Sequence, residues 1–285
     1  GTKSTATSLS DENDFGARSK RRSLESLHMP IGQDAVQAAI PELRNDDRLI
    51  RYAARIALEH QPLDLWREPV LNAASVDTAL NGMLAMVRVA GKDAREPLLD
   101  KIYSIPFDSL TETQQILWLR VYGLIFMRLG EADAEDAEQI RSRLEAEFPS
   151  VNASINSEIL KLLVYGESSS ITGKAVSLLS TAATQEEQID IAKTLRHQLL
   201  GWTPESRRTY FKWFLQAANY RGGASFTSFL ENIQKDAVAK LSPQEADDLK
   251  VIIEKRIEQS NPLNFAKRAV VKQWTVEELL SLAEQ

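Results

Sequence analysis

The chain has 285 residues, enough for one large domain or two ordinary ones, with 43% hydrophobic and 26% charged residues. A net charge of −6 offers no overall basic field for nucleic acid, and no apolar run approaches the roughly 20 residues needed to span a bilayer. Cysteine is absent, which excludes disulfides, thiolate metal ligands, covalent c-type haem attachment and a cysteine nucleophile within this sequence.

Residues 1–16 are polar and rich in Ser and Thr, and read as a disordered lead-in. The first residue is Gly1 rather than Met, so the sequence reads as a piece excised from a longer protein, and this end says nothing of localisation. From Ala17 the chain is predicted to be helical almost throughout. ARSKRRSLESLH (17–28) carries Arg18, Lys20, Arg21 and Arg22, and reads as the solvated basic face of a short helix. DRLIRYAARIALEH (47–60) is the clearest helix, because Ile50, Ala53, Ala54, Ala57 and Leu58 fall at i, i+3, i+4, i+7 and i+8. Asn45 or Asp46 is the expected cap.

Further helix starts are marked by the capping boxes Thr111-x-x-Gln114, Thr184-x-x-Glu187 and Thr275-x-x-Glu278. Thr203-Pro204 and Ser242-Pro243 place a hydroxyl before proline at a first helical position. GEADAEDAE (130–138) lacks the pattern of a calcium loop and reads as an acidic first turn of a helix. No stretch shows period-two alternation, so no sheet is expected.

Glycines expose a repeat. Apolar helical segments run into Gly91, Gly130, Gly166 and Gly201, spaced 39, 36 and 35 residues apart (130−91, 166−130, 201−166). A left-handed glycine closing each helix, followed by a polar link and a second amphipathic helix, predicts stacked helical hairpins. The fold expected is therefore all-α: an α-solenoid, a right-handed α-α superhelix over residues 17–260. A C-terminal extension with a short helix, 261–285, would lead toward a following module.

Asp47, Ile50, Arg51, Ala54, Ala57 and Leu58 match the D-x-x-V-R-x-x-A-x-x-A-L pattern of a HEAT-repeat helix, with Ile in place of Val. More broadly, RRSLESLH, DRLIRYAARIALEHQ, VVKQWTVEELL and above all 201–237 resemble the helical middle segment of large bacterial haem-binding proteins. The resemblance covers about residues 17–280. In those proteins a dehydrogenase-like β-propeller precedes the helical segment and a c-type cytochrome follows it. The resemblance implies a non-catalytic scaffold inside an exported, periplasmic redox protein. The redox chemistry would lie outside this chain, since no C-x-x-C-H can occur in it.

The candidate interaction residues are Trp213, Tyr220, Arg221 and Ser225. NYRGGASFTSF (219–229) lacks the strand and the lysine of a phosphate loop, so it reads as a corner between helices. In that reading Gly222 or Gly223 adopts positive φ and Ser225 caps the next helix. Arg221 beside that helix start could hold an anion. Tyr210, Phe211, Trp213, Phe214, Tyr220, Phe226 and Phe229 crowd this window, as helix-spaced core or as a stacking platform. His28, His60 and His197 lie far apart in sequence, and no catalytic or dinucleotide motif appears. No catalytic residue, metal or cofactor is expected. The expected partners are neighbouring domains of the parent polypeptide or another protein, with no nucleic acid and no membrane span. Alternatives are a free-standing peptide-binding solenoid, or a carbohydrate or small-ligand binder using the 210–229 aromatics.

Overall fold

A computed structural model describes residues 9–255 and Thr275, with side chains from Phe15 onward. All regular secondary structure among the described residues is helical, with no strand. The chain forms two units, residues 1–207 and 208–285. The expected extension at 261–285, including the Thr275 capping box apart from Thr275 itself, lies outside the described residues.

The first unit begins with α1 (Leu9–Glu25), which starts inside the segment expected to be a lead-in. Next come α2 (Gln33–Ala39) and α3 (Arg48–Glu59), then the short α4 (Arg67–Leu71) and the pair α5 (Val76–Val89) and α6 (Arg95–Tyr103). α7 (Glu112–Leu129) and α8 (Ala134–Leu144) form the next pair, then α9 (Ala153–Tyr165) and α10 (Ile171–Thr181), and then α11 (Gln185–Leu195). α3, α5, α7, α9 and α11 pack side by side in that order. The intervening helices cover them: α4 lies on α5, α6 on α7, α8 on α9 and α10 on α11. This is the helical-repeat architecture predicted from the glycine spacing.

Packing follows the period of the sequence. All five residues of the α3 stripe, Ile50, Ala53, Ala54, Ala57 and Leu58, are buried. The two small residues Ala54 and Ala57 are fully enclosed, where a neighbouring backbone must come close. α7 buries Trp118, Tyr122, Ile125 and Phe126, and the indole of Trp118 donates to the Ile102 carbonyl at 3.1 Å. Each large apolar side chain so buried contributes roughly 1.5–3 kcal/mol.

The caps explain where the helices start. Thr111 and Gln114 form the expected reciprocal box, as do Ser242 and Glu245. Thr203 accepts from the Ser206 N–H at 3.1 Å, and Thr184 from the Glu187 N–H at 3.2 Å. In the acidic 130–138 stretch Asp133 forms a box with Asp136 and starts α8. On α3 the cap is Asp47, which accepts from the Leu49 N–H at 2.7 Å. The expected Asn45 instead takes the N–H of Asp47 itself, at 2.9 Å.

The helix ends depart from the simple glycine rule. Gly130 and Gly201 have positive φ (139° and 74°), but Gly91 and Gly166 do not. After α9 the left-handed residue is Glu167, with φ 54°. The free carbonyls of helix ends are met by cations from adjoining helices of the stack. Arg128 donates to the carbonyls of Val87 and Arg88 (both 3.0 Å), and Arg141 to that of Gly166 (2.5 Å). Lys174 donates to those of Glu145 and Phe148. A cation there also meets the negative end of the helix dipole.

The boundary between the units falls within α12 (Pro204–Ala217), and the second unit continues through α13 (Phe226–Val238) and α14 (Pro243–Ile253). The corner between α12 and α13 differs from expectation. Neither Gly222 nor Gly223 has positive φ. Gly222 is required for a different reason: a Cβ there would lie 2.2 Å from Cγ of Phe226, whose ring folds back over it. Ser225 holds the capping position of α13, but its side chain makes no cap hydrogen bond. The turn is closed by backbone instead, Phe226 N–H donating to the Gly223 carbonyl at 3.0 Å.

Candidate functional site: an apolar edge along the helix ends

Four successive repeats expose a large apolar side chain at or shortly after the C-terminal end of the first helix. These are Val89 (42% exposed), Met127 (79%), Tyr165 (44%), and Leu199 with Leu200 (55% and 46%). Their spacings are 38, 38 and 34 residues (127−89, 165−127, 199−165), the period of the fold. Single exposed apolar residues are ordinary, but a recurrent line of them is not.

The helix ends that carry these residues adjoin one another. Arg128 of α7 reaches the terminal carbonyls of α5, so the ends of those helices adjoin. The rings of Phe126 and Tyr165 sit 5.9 Å apart, joining the ends of α7 and α9. The Tyr165 hydroxyl accepts from the Ala132 N–H at 2.8 Å, which fixes the ring on the edge. Between α9 and the end of α11 the edge deepens into an open groove of about 560 Å³, floored by Val164, Tyr165, Leu199 and Leu200.

One wall of the groove is fixed by a buried amide. Gln198 Nε2 donates to the Ser168 carbonyl (2.7 Å), the Leu200 carbonyl (2.8 Å) and the Thr172 hydroxyl (2.9 Å), pinning Leu199 and Leu200 beside α10. The Trp202 indole donates to the Gln198 carbonyl at 2.9 Å. The same device recurs at the start of the stack. Gln61 is buried, accepts the N–H groups of Ile31 and Gly32, and donates to the carbonyls of Met29 and Ala57, while Trp66 donates to its carbonyl.

The expected interaction residues are spread over core and surface in the second unit. Trp213 is buried, packed edge-on against Phe214 at 5.1 Å and near Tyr220 at 6.3 Å. Tyr220 is half-buried and takes a hydrogen bond from Gln216 Nε2 at 2.9 Å. With Phe226 and Leu230 it lines a separate open groove. Arg221 and Ser225 are exposed in the intervening loop.

Two of the three histidines do meet. His28 and His60 stack with ring centroids 5.9 Å apart, and His28 Nε2 donates to the Ala53 carbonyl at 2.9 Å. Among the described residues no three His, Asp or Glu side chains converge as a metal site would need. No helix among them is long and apolar enough to cross a membrane.

A second polar cluster lies inside the stack. Asp136 on α8 pairs with Arg95 on α6, and the Tyr103 and Tyr122 hydroxyls lie 3.1 Å apart. Burial, then the Tyr103 hydroxyl, pushes the Tyr122 phenol far above its ordinary range. Burial likewise raises Tyr103. Both therefore stay neutral, and the cluster ties α6, α7 and α8 together.

The apolar edge was missed at the sequence level although a signal for it exists. Every one of its residues stands one to three positions before one of the four repeat glycines. No family model, curated protein or solved structure matches the chain.

Proposed function

We propose that the chain is a non-catalytic docking module, a helical-repeat scaffold that holds a partner segment along the apolar edge formed by the ends of α5, α7, α9 and α11. The observation that carries this reading is the recurrence of exposed Val89, Met127, Tyr165 and Leu199 near the same helix end in consecutive repeats. An apolar line costs solubility unless something covers it part of the time. A repeat array suits such a task, because each hairpin adds one more contact of the same kind. The resemblance of residues 17–280 to the helical segment of large haem-binding proteins supports placing this module inside a larger exported redox protein, where neighbouring domains would be the partners. The aromatic cluster at 210–229 supports ligand stacking less well, because Tyr210, Phe211, Trp213 and Phe214 are buried.

The test is selection of binders from a random peptide library on the purified protein, followed by rebinding to Met127→Glu and Leu199→Glu/Leu200→Glu variants. Binders that lose affinity for these variants support the reading. Binders indifferent to every edge substitution refute it.

A further inference from the structure

The groove between α9 and the end of α11 differs from the rest of the edge in its charge. Its rim carries Lys161 and Lys193 with a single acid, Glu167, in a chain whose net charge is −6. Of the three acids near the lysines two already have partners, and the third, Glu167, stands on the rim. Glu158 stands 3.5 Å from Lys161 but also 3.3 Å from Arg120, so one carboxylate serves two cations. Asp190, one turn before Lys193, takes the Ser157 hydroxyl at 2.5 Å. Lys193 makes no hydrogen bond or ion pair with the described residues. The side chain of His197 is engaged by the Arg196 guanidinium at 2.9 Å, so the two lysines are the long, exposed cations facing the opening.

Helix ends favour basic residues for the sake of the dipole, and Arg128 and Arg141 on this stack are used in that way, bonded to terminal carbonyls. Lys193 is different. It lies on the exposed flank of its helix, with no carbonyl partner, beside an apolar floor.

Resting on the docking reading above, we propose that this groove takes an acidic, leucine-bearing segment of a partner protein. An apolar side chain of the segment lies on Val164, Tyr165, Leu199 and Leu200, and its carboxylates face Lys161 and Lys193. Apolar burial supplies the affinity. The paired charges select the acidic partner and reject a basic one. Glu167 sets an upper limit on how many carboxylates the rim accepts, and its charge reversal should tighten binding.

The experiment is a fluorescence anisotropy titration of the full chain with three labelled peptides of equal length. One is leucine–glutamate, one leucine–lysine and one leucine–serine. The inference predicts that the acidic peptide binds at least about tenfold tighter than the basic one, and that added salt narrows the gap because exposed charges are screened. Lys161→Glu/Lys193→Glu should reverse the order, Glu167→Lys should strengthen the acidic peptide several-fold, and Leu199→Ser/Leu200→Ser should weaken all three. These substitutions are at exposed positions, and helical circular dichroism verifies that each variant is folded. Equal binding of the three peptides that is lost in the leucine variant would overturn the acidic specificity while leaving the docking reading intact. Binding unaffected by the leucine variant, or no binding by any peptide, would overturn both.

Discussion

Replacing Gln61 with leucine is expected to destabilise the first unit more than any surface substitution would. The amide uses all its capacity. Its oxygen accepts from Ile31 and Gly32 at 2.9 and 2.7 Å, and its nitrogen donates to Met29, Ala57 and Leu27 at 2.8, 2.9 and 3.2 Å. Leucine keeps much of the volume but leaves two N–H groups and the carbonyls of a partly buried loop without protein partners. A buried polar group left unsatisfied costs about 1–3 kcal/mol. Water reaches part of the loop, since Met29 and Ile31 are exposed, so the net loss should be about 2–4 kcal/mol. For a unit of this size that lowers the thermal midpoint by about 5–15 °C.

Gln61→Glu gives a sharper control. An ionised carboxylate still accepts the two N–H groups but faces three carbonyl oxygens with no donor. Its folded pKa should therefore be raised, and the penalty, full at neutral pH, should shrink as the pH falls and protonation restores an O–H donor. Urea unfolding followed by circular dichroism, at neutral pH and near about pH 4.5, reads both effects. A Gln61→Leu midpoint like that of the parent, or a Gln61→Glu deficit that grows in acid, would show that the amide does not staple the loop.

Other perturbations follow from the same geometry. Gly201→Ala combines φ +74° with a Cβ 1.9 Å from the Ser169 carbonyl oxygen, and should cost about 2–4 kcal/mol; Gly173→Ala, on an exposed helical position with open space, should stabilise by up to about 1 kcal/mol, both read from urea midpoints. Ala54→Leu places a large side chain at a fully buried position and should destabilise by roughly 1–3 kcal/mol; an unchanged thermal midpoint would put Ala54 on the surface. Gly222→Ala should cost about 1–3 kcal/mol through Phe226, whereas Gly223→Ala should change stability by less than about 0.5 kcal/mol, and equal effects would contradict the ring-over-glycine contact. Burial raises the Glu42 carboxyl, but hydrogen bonds from Lys20 and Asn45 outweigh it and hold it below its ordinary 4.5; its contribution is thus present above that value and lost as the pH falls through the lower folded value, so Glu42→Gln should flatten the acid limb of an unfolding-midpoint-against-pH curve.

Much of the fold was legible because it is written in local periodicity. The α3 stripe needed only the 3.6-residue repeat, and all five of its apolar residues are buried. Helix starts were legible for the same local reason, since Thr111 and Ser242 cap groups three residues away. Helix ends were harder. Gly91 and Gly166 mark the repeat without adopting the left-handed conformation, and arginines from adjoining helices, Arg128 and Arg141, bond the terminal carbonyls there.

Sites made between repeats depend on which ends meet, and sequence spacing does not fix that. Gln61 and Gln198 look like ordinary polar residues until segments 26–34 residues away close on them. The apolar edge had a visible marker, the residues just ahead of each repeat glycine, but helix-end exposure cannot be told from burial by period alone. The aromatic window at 210–229 is dense in the sequence. Its largest members, Tyr210, Phe211, Trp213 and Phe214, turn inward.

The most direct test of the docking account is methyl NMR on protein labelled at Met, Leu, Val and Ile, titrated with a peptide selected for binding. The account predicts chemical-shift changes concentrated on Val89, Met127, Val164, Leu199 and Leu200, with Leu230, Ile233 and Ile253 of the second unit unchanged. Changes confined to Leu230 and Ile253 would place binding at the groove near Tyr220 and Phe226, and would contradict the claim that the ends of α5, α7, α9 and α11 form the interaction surface.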